Sequence, residues 1–170
     1  LSVHLGMENK GTFFSYLTIA SVLVRFFAGK ASDKYGRSFV LSLAAACLGI
    51  AMLLIGFVKT PEQLILCALL FGFSHGTASP TIFAWTIDLG LEHARGKAMG
   101  TAYIALEMGV GLGALISGIL YGNKIENISS SFFLSASLAF IAFVILVVHH
   151  RNEIRKKRNA QLVAQTIHAD

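Results

Sequence analysis

The sequence predicts an all-α, polytopic membrane bundle of five transmembrane helices, and two observations carry the prediction. The first is composition. Of the residues, 55% are hydrophobic and 14% are charged, with a mean hydropathy of +0.67, whereas an ordinary soluble domain is about a quarter charged. The second is clustering. Five apolar stretches, roughly 11–30, 38–58, 63–87, 98–122 and 128–149, reach the length of about 20 residues that a helix needs to cross about 30 Å of hydrocarbon. A soluble bundle would need a polar face on each helix, and these stretches have none.

Residues 1–10 form a polar outer loop. The first stretch carries one charge, Arg25, about one turn from its inner end, where a long side chain reaches the interface. The second stretch is uncharged and ends at Val58. Lys59-Thr60-Pro61-Glu62 makes a tight turn, with Pro61 suited to the first position of a helix. The third stretch holds His75 as its one ionisable group before Asp88. Pro80 removes a backbone donor there and predicts a kink, and Trp85 falls near the interface. The fourth stretch is glycine-rich, and its ionisable group is Glu107. The fifth ends at His149-His150. Residues 1–150 thus make one membrane region, and 151–170 a basic tail.

The formal net charge of +5 is a matter of topology. With five spans the polar segments alternate sides. Lys30, Lys34, Arg37, Arg95, Lys97, Arg151, Arg155, Lys156, Lys157 and Arg158 fall on one side, and Lys10, Lys59 and Lys124 on the other. That asymmetry puts the first side, including the C-terminus, in the cytoplasm. It excludes nucleic acid as the reason for the basic excess and makes the lipid bilayer the first partner. Cys47 and Cys67 lie inside spans and suggest small core residues, not a disulfide framework. No metal site and no cofactor are expected. His149 and His150 are adjacent and diverge on a helix, and no phosphate-cradling glycine loop is present. An enzyme reading finds no nucleophile–base set.

The most informative segment is Gly29-Lys30-Ala31-Ser32-Asp33-Lys34-Tyr35-Gly36-Arg37, a charged, glycine-flanked loop between two apolar runs. Gly29 and Gly36 permit a sharp turn and positive φ. Further on, Asp88 precedes Arg95-Gly96-Lys97-Ala98-Met99-Gly100-Thr101, one outward and one inward span away. The pair of loops, at that separation, resembles the major facilitator superfamily of secondary transporters. The resemblance implies helices eight to twelve of a twelve-helix protein, a partial C-terminal half whose N-terminal half is missing. Helices two to six are the alternative; Leu69, where the family often has an intramembrane Arg before Gly72, favours the former. The resemblance also implies that Gly29, Asp33, Lys34, Gly36, Arg37, Asp88 and Arg95 form a cytoplasmic gating network. Gly100, Gly109, Gly113 and Gly118 partly match the family's antiporter glycine pattern, with Ala114 and Ser117 as departures. They are read as helix-packing positions.

His75 and Glu107 lie near the middle of their spans, where an ionisable group is costly and faces a cavity or a partner. Family substrate and ion sites lie at that depth. They are the candidate substrate and proton pathway. The function expected is secondary transport of a small solute by alternating access, coupled to protons through Glu107. The alternative is a membrane assembly or scaffold protein that keeps the fold without transport. Compact loops are those expected of a bacterial inner-membrane protein.

Overall fold

The computed structural model describes residues 11–122 and 127–167. The expected loop at 1–10 and the turn around Lys124 lie outside the described residues. The described residues form five long helices, α1 (Thr12–Tyr35), α2 (Arg37–Phe57), α3 (Pro61–Leu89), α4 (Arg95–Tyr121) and α5 (Ile128–Ile167), with a short 3-10 turn, Glu92–Ala94, before α4. All five are long and apolar enough to cross a membrane.

Helix boundaries follow local chemistry. Between α1 and α2 one residue breaks the helix. Gly36 has φ 95° and ψ 143°, and its N–H donates to Ser32 O at 3.1 Å. The expected loop at 29–37 is therefore mostly helix. Gly29 is helical and meets no positive φ, because nothing from Lys30 to Tyr35 stops a helix. At the start of α3, Thr60 is the N-cap, with its side chain accepting from Gln63 N at 3.4 Å and Pro61 following at the first helical position. The Gln63 side chain returns to Lys59 N at 3.0 Å. This is a close variant of a capping box. Helix α3 continues through Pro80. Helix α5 also runs past His150, because the tail is rich in Arg, Lys, Ala and Gln and contains no Gly or Pro.

Packing pairs α1 with α3 and α2 with α5, with α2 and α3 joining the pairs. Small residues make this possible. Ala44, Ala51, Ala68 and Ala136 are almost fully buried. Gly72 lies against Leu17 O and Ala20 of α1, and Gly76 against the backbone of Ser21. Close backbone approach of this kind is how membrane helices gain dispersion contacts without a hydrophobic driving force. Gly49 and Gly56 seat the rings of Phe140 and Phe133 from α5. The buried Ser74 hydroxyl donates across to Ala44 O at 2.7 Å, tying α3 to α2. Helix α4 differs. It has no buried residue, and among the described residues it packs only lightly, against α3, α5 and the 3-10 turn.

Candidate functional site

Two sets of residues carry candidate chemistry, one at the charged end of the bundle and one midway along α3 and α4. At the charged end, Arg37 opens α2. A cation at a helix N-terminus is unfavourable against the helix dipole, and carboxylates compensate. Arg37 Nη1 pairs with Asp33 one turn earlier, and Arg37 Nε donates to Asp88 Oδ2 at 2.8 Å. The Ser32 hydroxyl accepts from Nη1 of the same guanidinium. One guanidinium thus joins the end of α1, the start of α2 and the last turn of α3. Its planar fork of donors suits such a junction, where a lysine would supply a single point of charge. Asp33 and Asp88 remain open to solvent at 64% and 50% side-chain exposure, against 22% for Arg37. The junction is therefore of the weak, reversible kind.

Of the residues expected in this network, the structure brings together Asp33, Arg37 and Asp88, and Gly36 supplies the turn that aims Arg37. Arg95 is not brought in. It pairs with Glu92 at 3.8 Å, three residues back along the 3-10 turn and α4, with both groups exposed. Lys34 points its ammonium over the Tyr35 ring, 5.3 Å from the centroid. Gly29 has open space around it.

A neighbouring polar cluster was not expected from the sequence. The buried Ser38 hydroxyl donates to Glu153 Oε2 at 2.6 Å and lies 3.0 Å from His150 Nδ1. His149 Nε2 is 3.3 Å from Glu153 Oε1, and its ring meets Trp85 edge-on at 5.2 Å. Adjacent residues of α2 therefore face opposite ways, Arg37 toward α1 and α3, Ser38 toward α5. The signal available in the sequence was the i, i+4 pair His149–Glu153, which favours contact on one helix face.

Midway along the bundle, His75 and Glu107 are both exposed at the surface of the described helices. The His75 ring stacks on Phe71 at 6.2 Å and 8°. Glu107 has no hydrogen bond or ion pair among the described residues. Helices α3 and α4 meet through Phe83 and Tyr103, whose rings are 4.8 Å apart. Followed antiparallel from that contact, His75 is level with Gly111, which is four residues, or about 6 Å, beyond Glu107. No hydrogen bond joins His75 and Glu107. Gly100, Gly109, Gly113 and Gly118 have nothing within 4 Å of a Cβ built on them. Among the described residues, the glycines that meet the backbone of a neighbouring helix are Gly72 and Gly76 of α3.

A family model described as the Major Facilitator Superfamily matches residues 2–167. The chain is 26% identical over 165 residues to Multidrug resistance protein 1 of Bacillus subtilis (strain 168), covering 96% of this chain and 41% of that protein. It is 32% identical over 135 residues to Multidrug resistance protein MdtG of Proteus mirabilis (strain HI4320), covering 79% of this chain and 33% of that protein. A cis,cis-muconate transport protein of Acinetobacter baylyi is 27% identical over 148 residues, covering 85% and 35% respectively. The chain thus spans at most about two fifths of these relatives. Five membrane-length helices and a family match from one end to the other lead to one statement: this chain belongs to the major facilitator superfamily.

Proposed function

We propose that this chain is the C-terminal part of a secondary transporter that moves a small organic solute across a membrane by alternating access, coupled to protons through Glu107. One observation carries the reading. Glu107 is an ionisable group in the middle of an apolar helix, exposed and without a protein partner among the described residues. Such a group is costly in hydrocarbon and marks a pathway or a partner. The helix that bears it, α4, has no buried residue. Its glycine-bearing face is what a second helical half would cover, with His75 and Glu107 lining the space between. The relatives' extra length supports such a half.

In this reading Arg37 is the reversible pin of a gate at the cytoplasmic end. Its pairs with Asp33 and Asp88 are exposed and worth about 0–1 kcal/mol each, weak enough to break in every cycle. Two of the relatives are named for multidrug resistance. An organic solute exported from a bacterial cell is therefore the substrate class to test first. A carboxylate at the cavity wall also suits a cationic solute. The test is export of a cationic dye from the cytoplasmic side, followed in inverted vesicles bearing the full-length protein. Energy-dependent dye accumulation supports the transporter; none, across a panel of dyes and organic acids, favours a scaffold that has kept the fold.

A further inference from the structure

Near the charged end, α1 and α2 splay apart and leave an apolar groove with a cavity of about 260 Å³. Phe27, Ala31 and Tyr35 form one wall at helical spacing along α1. Phe39 and Leu43 form the other on α2, and Phe73 and Thr77 of α3 make the floor. Three features define what fits. The groove runs from the level of Val24 to that of Tyr35, about 16 Å of helix, half of a hydrocarbon core of about 30 Å. Its walls offer no charge along that length. At its mouth stands Tyr35, with the Lys34 ammonium over its ring at 5.3 Å. Lys30 lies one helical turn before Lys34 on the same face of α1 and is likewise exposed.

We propose that this groove is a binding site for one anionic phospholipid of the adjoining leaflet. An acyl chain lies between α1 and α2, and the phosphate headgroup rests on Lys34 and Lys30. The groove is one leaflet deep, is apolar along its length and is cationic at its mouth. That is the charge pattern of a phospholipid read from tail to head. Each lysine beside an anionic headgroup favours it over a zwitterionic one by about fivefold. A lipid held there wedges α1 against α2 beside Gly36, the residue on which both helices turn. It thereby stiffens the junction that aims Arg37.

Native mass spectrometry of the full-length protein, exchanged into detergent with equal phosphatidylglycerol and phosphatidylcholine, tests the site. The wild type is expected to retain phosphatidylglycerol preferentially, by about the product of two such lysine factors. Lys30→Gln with Lys34→Gln abolishes the preference while some lipid of either kind remains. Ala31→Trp, which fills the groove, removes the bound lipid altogether. Leu43→Trp does the same from the opposite wall and serves if the first variant does not fold. Equal retention of the two lipids by the wild type, or unchanged retention in both tryptophan variants, overturns the proposal. So does disulfide or photo-crosslinking of position 27 to another protein segment instead of lipid, which would show that protein covers the groove.

Discussion

Arg37 and Asp88 lie 51 residues apart in sequence, and the guanidinium Nε of one donates to the carboxylate Oδ2 of the other at 2.8 Å. The bond spans from the first residue of α2 to the last turn of α3. The same guanidinium holds Asp33 and Ser32 of α1. Three helix ends therefore share one cation, and a movement of any one of them must stretch it.

That sharing predicts a measurable coupling. Arg37→Ala, Asp88→Asn and the double variant, compared by thermal unfolding in detergent, are expected to give a pair energy of up to about 1 kcal/mol, the range for exposed ion pairs. Arg37→Lys should recover only part of it, because an ammonium lacks the fork that meets two carboxylates. A coupling of several kcal/mol would mean a permanent clasp and would argue against a gate.

The Ser38 contact is more demanding. Ser38 is 2% exposed and donates a hydrogen bond to Glu153 while lying next to His150. Ser38→Ala removes that bond, and because the Glu153 side chain is 38% exposed and can be rehydrated, the expected cost is about 0.5–1.5 kcal/mol. Hydrogen exchange should locate the loss, with protection falling along residues 150–160 of α5. A variant whose α5 stays fully protected would show that the tail is held by packing alone.

Glycine positions separate into three kinds. Gly36 sits at φ 95° and ψ 143°, close to a region that is essentially glycine's alone, so Gly36→Ala is expected to cost about 1–3 kcal/mol in backbone strain. Gly76→Ala would place a Cβ 2.5 Å from Ser21 O. The atom it meets is backbone, so α1 and α3 must separate, at an expected cost of about 1–3 kcal/mol. Gly29 is helical with open space around it. Gly29→Ala is therefore expected to be neutral, or to stabilise by up to about 1 kcal/mol. Unfolding midpoints of the three variants test this order directly.

Thr77 makes an inverse case. Its hydroxyl is buried without a hydrogen-bond partner among the described residues, while Thr81 and Thr86 donate back to carbonyls one turn earlier. Thr77→Val removes an unsatisfied group of nearly equal shape, and the expected outcome is no loss of stability or a small gain. A clear loss would reveal a partner for that hydroxyl in the assembled protein.

The membrane spans were legible in the sequence because hydrocarbon demands long uncharged runs, and 38–58 or 128–149 fit nothing else. The Asp33–Arg37 pair was expected only from the family resemblance, with the segment read as a loop, and Gly36 because the turn needs a residue tolerant of positive φ. Gly29 was misread as part of that turn; one glycine in a segment of good helix formers does not end a helix. The place of Arg95 was not legible. It depended on the 3-10 turn at Glu92–Ala94, which supplies Glu92 as a nearer carboxylate. Nor was the partnership of Ser38 with Glu153, 115 residues apart, since no local pattern encodes which helix α5 lies against. Glycine spacing in α4 and in α3 looked alike in the sequence. Only the packing shows that Gly72 and Gly76 carry contacts while those of α4 face open space.

Whether Glu107 carries the proton is decided by following protons in the wild type and in Glu107→Gln. Full-length protein in proteoliposomes with an internal pH dye is given substrate and no other energy source. The wild type is expected to move protons with substrate, and the Glu107→Gln protein to exchange substrate down its gradient with no pH change. A Glu107→Gln protein that still moves protons with substrate as the wild type does would contradict the assignment of Glu107 as the proton carrier.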